Sequence, residues 1–74
     1  MKPNSRERFV DLAQNRVSKA LKDIKLIGNL SNRSNYEYTP EDVTKIMRAL
    51  KKAVDDCKGR FDQGGKEEDE VFKL

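Results

Sequence analysis

Histidine and tryptophan are absent from this 74-residue sequence, and cysteine occurs once, at Cys57. Without histidine the commonest general base near neutral pH is missing. A tetrahedral zinc site draws about four ligands from Cys, His and carboxylate, and that mixture is not on offer here. One thiol cannot close a disulfide within the chain, and Cys57 falls on an apolar helical face where it packs as a small hydrophobe. There is no G-x-x-x-x-G-K-[ST] loop and no EF-hand spacing. Apolar runs fall far short of the ~20 residues of a membrane-crossing helix. The expectation is a protein that is not an enzyme, with no catalytic, cofactor-binding or metal-ligating residues and no membrane partner. The lone thiol and the lack of an apolar leader point to a reducing, cytoplasmic setting.

What is present is charge and helical periodicity. Charged residues make up 39% of the chain and the formal net charge is +3. The charge is uneven: residues 1–27 hold seven Lys/Arg against three Asp/Glu, and residues 64–74 hold two against four. Only the front of the chain therefore favours a polyanion.

Two stretches carry one-face apolar spacing. In the first, Phe9, Leu12, Ala13, Val17, Ala20, Leu21, Ile24 and Ile27 recur at intervals of three and four, the signature of an amphipathic helix. Val10 and Leu26 fall outside that stripe, and Leu26 lies near Arg8, Lys19 and Lys22. Asn4 followed by Glu7 matches an N-cap with its N3 partner. Gly28 is the expected left-handed C′ residue, with Lys25 at the negative end of the dipole. The second stretch starts at Thr39-Pro40-Glu41-Asp42, which supplies a hydroxyl N-cap, proline at N1 and carboxylates at N2 and N3. Its stripe is Val43, Ile46, Met47, Leu50, Ala53/Val54 and Cys57; either Gly59 is the C′ residue or the helix runs on and Phe61 joins the stripe, with a fray expected between Lys58 and Asp62. Glu41–Lys45 is the favourable acid-first pair, whereas Lys52–Asp56 is reversed and weaker.

The resulting architecture is all-α. An antiparallel two-helix hairpin occupies residues 1–63, with helices at about 5–27 and 40–60 and a connector at 28–39. A disordered acidic tail follows over 64–74. Each helix shows one apolar face, and a single two-helix seam is thin for a chain this short. Dimerisation of two hairpins into a four-helix bundle would cover both stripes, so a homodimer is expected.

The connector is long for a helical hairpin, and excess loop length is often functional. Tyr38 at N′ is placed to staple onto Val43. That leaves Asn32, Arg33, Asn35 and Tyr36 as the candidate contact residues for a protein partner. The alternative is a nucleic-acid-binding accessory protein. It would use Arg16, Lys19 and Lys22 on the flank of the first helix, with Arg33, Tyr36 and Tyr38 for phosphate contact and base stacking. Acidic interruptions at Glu41, Asp55 and Asp56 weigh against it, and a three- or four-residue helix-turn-helix turn is missing.

Arg8-Phe9, Leu12-Ala13, Arg16-Val17, Ala20-Leu21, Ile24, the run from Leu26 to Thr39, and Lys45-Ile46 with Ala49-Leu50 resemble a group of short uncharacterised bacterial proteins sharing LIGNLSNRSNYEYT. The resemblance spans residues 8–61. It implies a small self-contained helical protein and attaches no activity to it.

Overall fold

A computed structural model describes residues 4–64. The expected fraying of residues 1–3 and the acidic tail beyond Gly64 lie outside the described residues. Among the described residues the protein is all-helical, with two α-helices and no strand. The first helix, α1, is Ser5–Gly28, followed by a 3-10 turn at Asn29–Ser31; the second, α2, is Pro40–Asp62. The chain divides into two units, Met1–Glu37 and Tyr38–Leu74, each carrying one helix.

The start of α2 follows directly from its sequence. The Thr39 hydroxyl accepts from the Asp42 backbone N–H at 3.1 Å, and the Thr39 N–H donates to the Asp42 carboxylate at 2.9 Å. This reciprocal capping box satisfies two otherwise orphaned donors, and Pro40 at N1 has no N–H to satisfy. The Thr44 hydroxyl donates to the Pro40 carbonyl at 3.1 Å. Thr39→Ala is expected to lower the stability of α2 by about 1 kcal/mol. Far-ultraviolet circular dichroism in a melt checks it; an unchanged transition would show that the box contributes nothing.

At the start of α1 the expected cap is only half realised. Asn4 is the N-cap residue, yet its side chain makes no capping bond. Its backbone, at φ −105° and ψ 20°, departs from the extended conformation that brings a capping oxygen over the N2 and N3 amides. The Arg6 guanidinium instead sits 5.8 Å from the centre of the Phe9 ring, one turn on.

Gly28 does not take the left-handed C′ conformation expected of it. It is right-handed helical, at φ −61° and ψ −28°, and the chain continues through it into the 3-10 turn. Backbone N–H groups at this end reach the carbonyls of Lys25, Leu26 and Ile27. Those acceptors are thus satisfied without a left-handed residue. Gly59 is likewise passed through, and α2 runs to Asp62 rather than fraying from Lys58. The left-handed glycine is Gly64, at φ 70°, whose N–H donates to the Phe61 carbonyl at 3.0 Å. That is one of the two bonds of a Schellman-type stop.

Both apolar stripes are open. No described residue is buried; Val10, Ala13, Ile27, Tyr38 and Leu50 are half-buried and the rest of the large apolar residues are exposed. Val10 belongs with the stripe rather than outside it, because Val10, Ala13, Val17, Ala20, Ile24 and Ile27 repeat at three, four, three, four and three. In α2, Val43, Met47, Leu50, Val54, Cys57 and Phe61 repeat at four, three, four, three and four. Both are the 3.5-residue pattern of helices that pack along their length. Among the described residues, exposed ion pairs join Lys19 and Asp23 at 2.9 Å, Lys52 and Asp56 at 3.0 Å, and Lys58 and Asp62 at 3.1 Å. All are base-first, and Glu41–Lys45 is not closed. Each contributes a few tenths of a kcal/mol.

Candidate functional site

The connector is built by Asn32. There the backbone leaves the helical region, with φ −72° and ψ 100°. Its side-chain oxygen accepts from the Ser34 N–H at 2.9 Å, and its own carbonyl accepts from the N–H groups of Asn35 at 3.1 Å and Tyr36 at 3.0 Å. Asparagine stops the helix here because a short amide offers the next amides an alternative to the helical carbonyls. Asn32 therefore has a structural task in addition to any contact it makes. Four residues are thereby folded into a tight turn at the end of the first unit.

Of the candidate contact residues, Arg33, Asn35 and Tyr36 are exposed, and Tyr36 keeps 48% of its surface accessible. The turn brings Arg33 through Tyr36 together within one short segment. A planar guanidinium and a phenol held on such a turn can offer hydrogen bonds and a flat apolar face to a partner. Tyr38 begins the second unit and is half-buried at N′, with Val43 at N4, the two positions of a hydrophobic staple.

The nucleic-acid set is dispersed by comparison. Arg16, Lys19 and Lys22 lie along α1, all exposed, and the Lys19 ammonium is held by the Asp23 carboxylate. One cation of three is thus partly neutralised within the helix itself. A shallow hollow beside Arg6, Glu7, Val10 and Asp11 is a dent in the surface of α1. Among the described residues no three Cys, Asp or Glu side chains gather in a way that would hold a metal ion. No described helix is long and apolar enough to cross a membrane.

Asn35 and Tyr36, both named as candidate contacts, are joined in the turn by Ser34, which is not among the candidates. Leu30 lies within the expected connector, but the 3-10 turn carries it one turn beyond Leu26, and it is 47% exposed. The pair Leu26 and Leu30, four residues apart, was the available signal. No family model, curated protein or solved structure matches the chain.

Proposed function

We propose that this chain is a small, non-enzymatic protein-binding or regulatory module of the bacterial cytoplasm. Its helices pair as an antiparallel hairpin, and two hairpins associate into a four-helix bundle. The observation that carries the reading is that both helices present continuous apolar stripes with nothing buried. Contiguous apolar faces of this kind mark interaction surfaces. The stripe of α1 carries small residues at Ala13 and Ala20 and that of α2 larger ones at Met47, Val54 and Phe61, a contrast of volume that interdigitating layers use. A protein partner is engaged through the Asn32 turn, with Arg33, Asn35 and Tyr36 as its contacts.

Arg33→Ala combined with Tyr36→Ala tests the contact surface. Binding of the partner in a pull-down is expected to be lost, while thermal stability changes by less than about 0.5 kcal/mol, as for exposed substitutions generally. A large loss of stability would make the turn structural and remove the proposal.

The second reading, a nucleic-acid accessory protein using Arg16, Lys19, Lys22, Arg33, Tyr36 and Tyr38, is favoured by one observation, the seven-to-three excess of bases in residues 1–27. Affinity for heparin or nucleic acid that falls steeply with salt would support it. Failure to be retained at low salt removes it.

A further inference from the structure

α1 carries a second strip, which meets the flank of its apolar stripe at Leu12 and otherwise lies apart from it. Arg8, Leu12, Lys19, Lys22, Leu26 and Leu30 recur at intervals of four, seven, three, four and four. At 3.6 residues per turn these positions share about a third of the circumference. Leu30 joins the strip only because the chain runs helically through Gly28. Leu12, Leu26 and Leu30 are 41%, 56% and 47% exposed, and the three cations between and beside them are exposed too.

This mixture selects its occupant. A phosphate backbone would use the cations and leave the leucines in water. A purely apolar helix would cover the leucines and desolvate Arg8 and Lys22 without supplying an acid to either; Lys19 is already paired with Asp23 at 2.9 Å. An acidic segment with apolar anchors satisfies both. The chain contains one, Glu67-Glu68-Asp69-Glu70-Val71-Phe72-Lys73-Leu74, four consecutive acids followed by Val, Phe and Leu. Eight residues reach at most about 26–29 Å, and Leu12 to Leu30 spans about 27 Å of helix.

We propose that residues 67–74 of one copy dock on this strip of a second copy, reciprocally across the dimer. The inference rests on the dimer reading above and adds a contact to it. In a two-fold pair each docking is made twice. The basic front of each chain meets the acidic end of the other, and ion pairing and leucine burial supplement a thin seam.

Intermolecular paramagnetic broadening in the full chain tests it. One sample carries a nitroxide at Val71→Cys in a Cys57→Ala background; it is mixed with an isotope-labelled, unmodified chain. The Lys22, Leu26 and Leu30 amides of the labelled copy are expected to lose more than about half their intensity. High salt, which screens exposed charge pairs, or Lys19→Glu with Lys22→Glu should restore it. Broadening centred on Val43–Phe61, broadening only when nitroxide and isotope share one chain, or none at all would overturn the docking. Sedimentation of the same mixture separates the two ideas. A dimer without broadening at the strip overturns the docking alone, and a monomer overturns the dimer reading with it.

Discussion

Leu50→Asp is expected to abolish both the cooperative thermal transition and the proposed dimer. Leu50 stands at the middle of the α2 stripe, with Val43 and Met47 before it and Val54 and Cys57 after it, and it is the large apolar residue of that stripe that the fold already half-buries. In the proposed bundle a carboxylate there must either be buried without a partner or hold the seam open. Either route costs several kcal/mol. A core in a chain of this size rarely supplies more than about 3–5 kcal/mol, so the substitution removes most of the available stability. What remains is residual helicity, since helices without tertiary packing are marginal in water. Circular dichroism melts at several protein concentrations, with sedimentation alongside, read both effects. Lys45→Gln, on the exposed opposite face of the same helix, should shift the transition by less than about 0.5 kcal/mol. A Leu50→Asp protein that melted like its parent would show that the stripe is not a packing surface.

Gly28→Ala with Gly59→Ala is expected to raise stability by about 1–2 kcal/mol in total. Both glycines are helical, and a methyl group built on either meets nothing within 4 Å. Alanine loses less backbone freedom on folding there and strains nothing. For a chain of this size the gain corresponds to roughly 4–8 °C in melting temperature for each kcal/mol. Gly64→Ala should have the opposite sign. Its space is equally open, but its φ of 70° lies where a Cβ is disfavoured by about 1–2 kcal/mol. The contrast isolates backbone conformation from packing. A stabilising Gly64→Ala, or a destabilising Gly28→Ala, would reverse the assignment of the helix stops.

Much of the local structure was legible in the residues. The capping box of α2 formed as its spelling implied, because Thr39, Pro40 and Asp42 act on amides within three positions of themselves. Both helices were legible for a similar reason: spacing of three and four is a local pattern that one helix can satisfy alone. Asn4 shows the limit of such spelling. Residue types matched a capping box, but the reciprocal bonds also require an extended backbone at the cap, and that torsion is not written in the residue's identity. The candidate contact residues followed the same division. Their location between two helices was readable; the turn that groups Arg33 to Tyr36, and the cost of Asn32's side chain to it, was not.

The sequence by itself determined the two helices, their apolar faces and the firm start at Thr39. Only the three-dimensional structure decided where they stop. Glycine adopts right- and left-handed helical torsions with nearly equal ease, so the expectation of a left-handed Gly28 could not be decided from residue identity. The choice fell to the backbone hydrogen bonds. Around Gly28 the last carbonyls of α1 found donors in a continuing 3-10 turn, and Asn32 broke the run with its own amide. At Gly64 the Phe61 carbonyl found its donor in a residue turned left-handed. That shift of four residues in the first stop is what places Leu30 above Leu26 and gives α1 its second strip.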